Sequence, residues 1–332
     1  MKESLIQVHE LKVQFHSTKG LVSVLVPNKG ARIRAVDGVT FEIRHGEIFC
    51  LAGESGSGKT TTAKALLGLT PITEGKVLFD GTDLASIDNN QLRHLRREMQ
   101  MVYQDPYESL NPRMRIRDIV AEPLRIHHLT RDKHDEIEKI NTALVSVGLT
   151  PPATFADRFP HELSGGQRQR VAIAASTVIR PKFIVADEPV SMLDVSVRSG
   201  ILNLMLRLRD ELNLTYLFIT HDLALARSIS DRIAVMYLGK IVEVGPKDAV
   251  TDSPAHPYTQ ALLTAVPEPD PRTRRSTIPI SGETPKATDI PSGCRFRTRC
   301  PKAFDRCQKE EPRMIEVGSD HYAACHLIED PK

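Results

Sequence analysis

The chain contains 332 residues, and its 44 lysines and arginines nearly balance 42 aspartates and glutamates, which leaves a net charge of +2. Hydrophobic residues make up 40% and charged residues 26% of the sequence, which excludes a collagen, a wholly disordered chain and a small disulfide-rich protein. The balanced charge gives no electrostatic sign of nucleic-acid binding, and no apolar run is long enough to span a bilayer. We therefore expect about two domains, soluble and intracellular unless a partner tethers them.

The predicted strands fall into two kinds. Alternating or mixed runs predict strands over 6–9, 11–15 and 36–43, with a hairpin or loop insertion over 17–34 between them. Continuous apolar runs, typical of strands buried on both faces, cover 47–52, 183–186 and 216–220. Residues 233–244, around Gly239, predict a hairpin.

The predicted helices separate these strands. They cover 60–69, most of 89–180 and 195–212. Within 89–180 we expect breaks at Pro106, Pro112, Pro123 and the pair Pro151 and Pro152. Strands separated by helices favour a parallel α/β sheet with right-handed crossovers.

The clearest motif is residues 53–60 (GESGSGKT), which fits G-x-x-x-x-G-K-[ST] between a predicted buried strand and a predicted helix. Its glycines allow successive backbone N–H groups to point at an anion, and the helix N-terminus adds its positive dipole end. Lys59 supplies a charge for the β- and γ-phosphates and Thr60 a hydroxyl for Mg²⁺. A chance glycine-rich turn is the alternative, which this context disfavours. The predicted nucleotide-binding residues here are Gly53, Ser55, Gly56, Ser57, Gly58, Lys59, Thr60 and Thr61.

An acidic pair, Asp187 and Glu188, follows the buried strand predicted over 183–186. Asp187 is expected to hold Mg²⁺ through water, and Glu188 is placed to polarise an attacking water. A solvated acidic pair at a strand end is the alternative. With the phosphate loop in the same chain, the pair predicts nucleotide hydrolysis.

The sequence resembles the ATP-binding-cassette (ABC) ATPases along nearly all of its length. Residues 163–167 (LSGGQ) match the family's signature sequence, and residues 191–194 (SMLD) match its D-loop. The resemblance implies that Gln104 is the Q-loop glutamine near Mg²⁺, that His221 is the switch histidine at the γ-phosphate, and that Phe15 stacks on adenine. Taken singly, Gln104 could lie on the surface, His221 could cap a helix and Phe15 could be core. The signature and D-loop residues implied in nucleotide binding are Ser164, Gly165, Gly166, Gln167 and Asp194.

Two positions depart from the family pattern. Met192 stands in the D-loop where a small residue is usual, at the expected dimer interface. Ala175 stands where an arginine is common, in a helix that Ser164 is expected to N-cap and that runs to about residue 180. The consequence of Met192 is left open. The departure at Ala175 is not taken as a sign of inactivity, because Lys59, Asp187, Glu188 and His221 are present. The predicted catalytic residues are Glu188, His221 and Gln104.

The resemblance implies an α/β fold of the P-loop NTPase class. This is an ABC cassette with a RecA-like core, an antiparallel β subdomain and a helical subdomain over about 105–180. We expect the nucleotide-binding domain to cover residues 1–265. Residues 266–332 would then form a small C-terminal extension that contains four cysteines.

Two further segments resemble the peptide/nickel importer subfamily, namely residues 104–113 (QDPYESLNPR) and 256–263 (HPYTQALL). The insertion before Val36 resembles the F-type of its two paralogous ATPases. The implied function is to power import of di- and oligopeptides, with nickel or oligosaccharides as alternative cargo. The implied partners are a paralogous D-type ATPase, two integral-membrane permeases and an extracytoplasmic substrate-binding protein, without nucleic acid. The implied location is peripheral, at the cytoplasmic face of the cell (inner) membrane.

Functions of other classes remain open. A non-transport ABC protein of DNA repair or translation usually has long coiled coils or two cassettes, and this sequence shows neither. The other alternative is a redox-regulatory nucleotide-binding subunit. In such a subunit the metal site would carry the function, and one ATP site would be degenerate.

Four of the five cysteines lie close to the C-terminus, at Cys294, Cys300, Cys307 and Cys325. Their spacing lacks the paired C-x₂₋₄-C steps of a zinc finger, and disulfides are disfavoured in the cytosol. Cys₄ ligation suits a [4Fe–4S] cluster or zinc, and some members of the subfamily hold the cluster in such an extension. A [4Fe–4S] cluster is therefore the preferred interpretation, and zinc or no metal are the alternatives. The basic residues nearby would offset the cluster's charge or form a solvated face; they are Arg295, Arg297, Arg299, Lys302 and Arg306.

Overall fold

The computed structural model describes residues 3–16, 32–264 and 282–329. The strands are β1 (Ser4–His16), β2 (Arg32–Arg44), β3 (Ile48–Ala52), β4 (Glu74–Phe79), β5 (Thr82–Asp83), β6 (Met99–Val102), β7 (Phe183–Asp187), β8 (Thr215–Thr220), β9 (Arg232–Tyr237), β10 (Lys240–Pro246), β11 (Ile315–Gly318) and β12 (His321–Ala323). Most of the insertion predicted over 17–34 lies outside the described residues.

The α-helices lie between and after these strands. They are α1 (Lys59–Leu66), α2 (Asn89–Leu95), α3 (Pro106–Ser109), α4 (Ile116–Ile126), α5 (Lys133–Ser146), α6 (Pro152–Ala156), α7 (Gly165–Thr177), α8 (Val195–Leu212), α9 (Leu223–Ile229), α10 (Lys247–Asp252), α11 (Pro257–Thr264), α12 (Asp305–Lys309) and α13 (His326–Glu329). A 3₁₀ helix, Pro160–Glu162, precedes α7. Among the helices of the described ranges, none combines the length and apolar character that a bilayer span requires.

The described residues form two compact units. The helix-rich unit contains residues 3, 44–47 and 86–219, and the sheet-rich unit contains 4–43, 48–85 and 220–329 in their described parts. Each unit has its own buried strands. The predicted α/β class is therefore confirmed, with both element types in each unit.

The helix-rich unit is built on three adjacent parallel strands in the order β6-β7-β8. All residues of β7 and β8 are buried, as their continuous apolar sequences predict. Phe183 lies opposite Met99 on one side and Thr215 on the other, so the carboxyl ends of β6 and β7 lie at the same edge. That edge is where ligands bind in open α/β sheets.

The sheet-rich unit contains two groups of strands. One is a four-stranded sheet in the order β2-β1-β4-β5, in which β4 runs antiparallel to both β1 and β5. The other has the order β11-β12-β10-β9-β3. In it β3 and β9 are parallel, while β9 and β10 form the antiparallel hairpin predicted around Gly239. Cys50 is fully buried in β3, and burial raises the pKa of its thiol, as expected of an inert core cysteine.

The C-terminal segment joins the second sheet through β12, which pairs antiparallel with β10. Glu243 of β10 is fully buried and accepts hydrogen bonds from the backbone N–H groups of Ala255 and His256 at 2.7 and 2.9 Å. His321 of β12 lies 2.8 Å from the same carboxylate through Nε2. Both oxygens of this buried carboxyl group thus have hydrogen-bond partners, as buried polar atoms require.

The structure corrects the prediction for residues 89–180 in two places. The strand β6 was not predicted there; it pairs in parallel with β7. Pro123 was expected to interrupt a helix and instead lies inside α4. Its missing N–H and ring clash cost about 3 kcal/mol in a helix. The buried face of α4, with Val120 and Leu124, offsets that cost.

The other proline expectations are confirmed. Pro106 begins α3, Pro152 begins α6 after Pro151, and Pro112 lies outside a helix. Pro at the first helical position loses no hydrogen bond, because that N–H has no intrahelical acceptor. The helix predicted over 195–212 is α8, with the same bounds.

Candidate functional site

The phosphate loop of the sheet-rich unit connects β3 to α1. Gly53 has φ +148° and Gly58 has φ +107°, a region that side chains rarely adopt. A Cβ atom would stand 2.2 Å from the carbonyl oxygen of Met236 at the first position and 2.2 Å from that of Ala35 at the second. Glycine is therefore required at both ends of the loop, for close backbone approach as well as for conformation.

Lys59 lies buried within this loop. Its Nζ donates to the carbonyl oxygens of Gly53 at 2.7 Å and Glu54 at 2.8 Å. The loop is held further by the backbone N–H of Gly239, which donates to the carbonyl of Ser57 at 2.8 Å. No described side chain caps the N-terminus of α1, which begins at Lys59. The loop therefore presents a fixed positive charge at an uncapped helix N-terminus, which suits a phosphate.

Two other predicted ATP contacts belong to the same unit. His221 is exposed immediately after β8, and Asp222 beside it N-caps α9 by accepting from the N–H groups of Ala224 and Leu225. His221 is therefore not the N-cap of α9, a role that was the alternative to contact with the γ-phosphate. Phe15 lies near the end of β1 and is 40% exposed.

In the helix-rich unit, the residues predicted to bind Mg²⁺ or to orient the attacking water lie at or after the ends of β6 and β7. Asp187 ends β7 and is buried. Glu188 has φ +45°, an uncommon conformation for a non-glycine residue, and its N–H donates to the carbonyl of Ile219 at 3.0 Å. Gln104, beyond β6, donates from Nε2 to Oε2 of Glu188 at 3.2 Å. The structure thus brings Gln104 and Glu188 together within one unit.

The signature residues begin α7. Ser164 is its N-cap: Oγ accepts from the N–H of Gln167 at 3.3 Å, and Oε1 of Gln167 accepts from the N–H of Ser164 at 3.0 Å. The predicted N-cap role of Ser164 is confirmed, and the reciprocal bond from Gln167 completes a capping box. A Cβ atom on Gly166 would stand 2.6 Å from Cγ1 of Val197, and one on Gly165 would stand 3.4 Å from Cδ2 of Leu193. The glycines therefore also let α7 pack closely on the D-loop and α8. Asp194 is the N-cap residue of α8.

One contact of this unit was not predicted. The guanidinium of Arg168, one residue after the signature, lies 3.8 Å from the ring centroid of Tyr107. Nε of Arg168 also donates to the carbonyl of Pro160 at 2.6 Å. Tyr107 is 61% exposed and belongs to the Q-loop segment. The segment after Gln104 therefore contacts the signature helix through this pair. The only feature of the sequence that could have indicated the contact is the arginine directly after the signature motif.

The four C-terminal cysteines share one neighbourhood in the sheet-rich unit. The backbone N–H of Cys294 donates to the carbonyl of Cys307 at 2.9 Å. Burial, followed by smaller contributions from negative charge on Cys307, Cys325 and Cys300, raises the pKa of the Cys294 thiol to about 12. Burial also raises the pKa of Cys325, to about 11.

For three of these thiols, a backbone N–H two residues further on lowers the pKa against the effect of burial; the N–H groups are those of Phe296, Lys302 and Leu327. Across the described parts of the chain, however, no three His, Cys, Asp or Glu side chains are arranged to hold a metal ion. The thiols are thus close enough to interact electrostatically without converging on one ion-sized point.

Two of the basic residues near the thiols are buried, so they do not form a solvated surface. Arg295 is buried and pairs with Asp37 and the carbonyl of Leu238. Arg299 is buried and pairs with Glu54. The solvated-face alternative is therefore wrong for these two arginines, because each is buried and its guanidinium has an acidic partner in another part of the unit.

Comparison with known proteins gives close relatives over almost the whole chain. The chain is 45% identical to the putative oligopeptide transport ATP-binding protein YkfD of Bacillus subtilis, over 97% of this chain and 95% of that protein. It is 44% identical to the oligopeptide transport ATP-binding protein AppF of Bacillus subtilis, over 98% of each. It is also 44% identical to the oligopeptide transport ATP-binding protein OppF of Escherichia coli, over 99% of this chain and 97% of that protein. The chain belongs to the ABC transporter ATP-binding family.

Two family models match this ABC ATPase. The ABC transporter model covers residues 36–191, from β2 to the D-loop. The model of the oligopeptide/dipeptide transporter C-terminal region covers residues 242–307, which contain three of the four clustered cysteines. The peptide/nickel importer resemblance is therefore confirmed at the level of the family.

Solved ABC cassettes share the fold of this ATPase. CbiO1 from Clostridium perfringens, part of the ABC transporter complex cbiONQ, has a TM-score of 0.64 and 25% identity, over 76% of this chain and 92% of that one. The dimeric bacterial ABC transporter cassette MJ0796 has a TM-score of 0.63 and 28% identity, over 73% of this chain and 98% of that one. The ABC cassette fold predicted from the motifs is confirmed.

Proposed function

We propose that this chain is the ATP-hydrolysing subunit of an ABC importer for di- and oligopeptides. The observation that carries the proposal is the union, in one chain, of a phosphate loop with an oligopeptide/dipeptide transporter C-terminal region. Relatives of nearly equal length are named as oligopeptide transport ATP-binding proteins, which favours peptides over nickel or oligosaccharides as cargo.

ATP is proposed to bind the phosphate loop. Residues 53–61 would surround the phosphates with backbone N–H groups, and Lys59 would neutralise their charge. The left-handed glycines and the uncapped start of α1 suit a polyanion, so the built loop fits this ligand. When bound, Mg²⁺ would supply charge neutralisation, with Thr60, Gln104 and Asp187 as its proposed ligands.

Hydrolysis is proposed to use Glu188 as the residue that orients water. The water attacks the γ-phosphorus while the bond from that phosphorus to the bridging oxygen breaks, which yields ADP and phosphate. A hydrogen bond from Nε2 of Gln104 holds Oε2 of Glu188 at 3.2 Å. His221 and Lys59 stabilise the negative charge on the transferred group. The signature residues would serve ATP held mainly by the partner ATPase.

The variant Glu188→Gln tests these roles in the assembled complex. We expect it to bind ATP normally and to lose at least about 100-fold in hydrolysis rate, because a neutral amide polarises the attacking water much less than a carboxylate does. Glu211→Gln, an exposed change on α8 of the same unit, is the matched control and should retain the wild-type rate. Hydrolysis by Glu188→Gln at the wild-type rate would overturn the assignment.

The proposed assembly places this chain at the cytoplasmic face of the membrane. It would pair with a paralogous D-type ATPase and dock on two permeases, which would receive cargo from an extracytoplasmic substrate-binding protein. The dimeric state of similar cassettes supports the pairing. The exposed Tyr107 on the Q-loop segment supports contact of that segment with a permease. Purification of the intact complex followed by ligand identification tests both partners and cargo.

The cysteine cluster is proposed to hold a [4Fe–4S] cluster. Four free cysteines are the ligand set that such a cluster takes, and three of them lie in the matched oligopeptide/dipeptide transporter C-terminal region. Backbone N–H groups that lower the pKa of three of these thiols also favour thiolate ligands. Cys294, Cys300, Cys307 and Cys325 would be the ligands.

Anaerobic purification tests the metal proposal. We expect brown protein with broad visible absorption, and its loss in Cys300→Ser. Cys50→Ser, which changes a cysteine buried in β3, is the control and should keep the colour. Colourless wild-type protein that contains stoichiometric zinc would refute the iron–sulfur assignment.

A further inference from the structure

Glu54, the second residue of the phosphate loop, is held by side chains from the C-terminal part of the sheet-rich unit. Arg299 donates from Nη1 to Oε2 at 2.7 Å and from Nη2 to Oε1 at 3.0 Å, which is a bidentate pair. Thr284 donates from Oγ1 to Oε2 at 2.6 Å. Tyr258 accepts the backbone N–H of Glu54 at 2.9 Å. We call these three residues the loop brace.

The loop brace is a built arrangement and not a chance surface contact. The side chain of Arg299 is 9% exposed and that of Glu54 is 26% exposed. Arg299 also donates from Nη1 to Oγ1 of Thr284 at 3.0 Å, and its guanidinium lies 5.9 Å from the ring centroid of Tyr237. A planar fork that meets a carboxylate with two parallel bonds fixes geometry in a way that a lysine cannot.

The electrostatics of Glu54 agree with this geometry. Burial by itself raises the pKa of its carboxyl, but hydrogen bonds from Arg299 and Thr284 and the charge of Arg299 and Lys59 outweigh burial, so the pKa lies below its ordinary value. Glu54 is therefore ionised at neutral pH, and the pair with Arg299 is a charge pair.

The loop brace reaches the phosphate-binding lysine through one residue. The carboxylate of Glu54 is bound to Arg299, while its carbonyl oxygen accepts from Nζ of Lys59 at 2.8 Å. A shift of Glu54 therefore moves an acceptor of Lys59. Tyr258 comes from α11, in the subfamily segment 256–263. The buried ring of His256 anchors the start of that helix by accepting the N–H of Tyr258 at Nδ1.

We propose that Arg299 is a positioning residue of the ATP site, which acts through Glu54 to hold the phosphate loop in the conformation that binds ATP. The proposal rests on the proposed ATPase function and adds a role for the C-terminal segment. Because Cys300 is the next residue, the same contact ties the conformation of the thiol segment to nucleotide binding. Coupling of this kind is reciprocal: whatever shifts the segment shifts ATP affinity, and ATP shifts the segment.

The test measures KM for ATP and kcat in the assembled complex. We expect Arg299→Gln to raise KM about 5- to 50-fold, in the usual range of coupling between sites, with kcat at saturating ATP within about twofold of wild type. Glu54→Gln should raise KM by a similar factor. The double variant should be no worse than the more affected single variant, because both remove one interaction. Arg297→Gln, a change two residues away whose guanidinium binds the carbonyl of Ser292, should leave KM unchanged.

The outcomes separate this proposal from the proposed function. Lys59→Ala should abolish ATP binding whether or not Arg299 acts as inferred. Loss of binding in Lys59→Ala together with a wild-type KM in Arg299→Gln overturns the positioning role and leaves the ATPase function standing. If the increase in KM of the double variant equalled the product of the two single increases, the proposal would also be overturned. Independent effects of that kind would reflect general destabilisation and not one shared interaction. If Arg299→Gln does not fold, Thr284→Val removes one hydrogen bond of the loop brace and should raise KM by a smaller factor; an unchanged KM there overturns the proposal.

Discussion

At the residue scale, the phosphate loop depends on glycine for two separate reasons that can be distinguished. Gly53 has a left-handed φ and its backbone lies against the carbonyl of Met236. Gly56 also has a positive φ, of +77°, but a Cβ atom there would have no neighbour within 4 Å. Glycine is therefore required at Gly53 for both its conformation and the close approach of backbone, and at Gly56 for its conformation alone.

This difference predicts unequal effects of two alanine substitutions on folding. Gly56→Ala should cost about 1–2 kcal/mol, the price of a left-handed conformation for an L-residue. Gly53→Ala should cost on the order of 3 kcal/mol or more, because the methyl group also displaces backbone. In thermal melts without nucleotide, Gly53→Ala should therefore melt several degrees below Gly56→Ala. Equal melting temperatures would contradict the close approach.

The residues that could be predicted from sequence are those whose signals are local. The loop at 53–60 and the capping box at Ser164 are short patterns whose physics is contained in a few adjacent residues. The bond between Glu54 and Arg299 joins positions 245 residues apart, and nothing local at either marks it. Pairing over such distances is set by how the sheet-rich unit folds, so only the structure supplies it.

At the element scale, the same distinction separates correct from missed predictions. The strands β7 and β8 are continuous apolar runs, and α8 has a long amphipathic pattern, so periodicity identified them. The strand β6 has only four residues, and half of them are partly buried. Its sequence is therefore too short to show a clear alternation of apolar and polar residues from which a strand could be predicted. The helix α4 shows the opposite case, in which tertiary packing overrides a local breaker at Pro123.

The start of α5 offers a pH-dependent test at this scale. Asp132 N-caps the helix by accepting from the N–H of Asp135 at 2.9 Å. Asp135 in turn accepts from Nζ of Lys139 at 2.8 Å and from the N–H of Arg131 at 2.9 Å. The hydrogen bond from Lys139, followed by that from the Arg131 N–H, lowers the pKa of Asp135 from 3.8 to about 2. Because the folded pKa is the lower one, the carboxylate stabilises the fold above the unfolded pKa, and that contribution disappears as pH falls from about 4 to 2.

Asp135→Asn should therefore lower the urea midpoint of unfolding at pH 7. The gap to wild type should narrow as pH is lowered from 4 towards 2, because the wild-type carboxyl becomes neutral as well. Glu138→Gln, an exposed change on the same helix, is the control and should track wild type throughout. A gap that stays constant with pH would show that shape and not charge is responsible.

At the scale of the whole molecule, the exposed apolar residues of the helix-rich unit mark a surface that a partner would cover. Met192 is 59% exposed and Val195 is 80% exposed, beside the signature glycines that the D-loop packs against. Exposed apolar side chains grouped next to functional residues are typical of interaction sites. The departure at Met192 thus adds apolar area to the surface on which the proposed partner ATPase would sit.

This surface predicts that association with the partner ATPase is sensitive to charge at these positions. Met192→Asp should leave the melting temperature of the isolated chain unchanged, because the side chain is exposed, and should weaken ATP-dependent association at least about tenfold, because a charge must be desolvated at the interface. Sedimentation in a Glu188→Gln background measures association without hydrolysis. Ile137→Asp, at a 48% exposed position on α5, is the matched control for an added charge. Equal loss in both variants would place the cause in net charge and not in the D-loop surface.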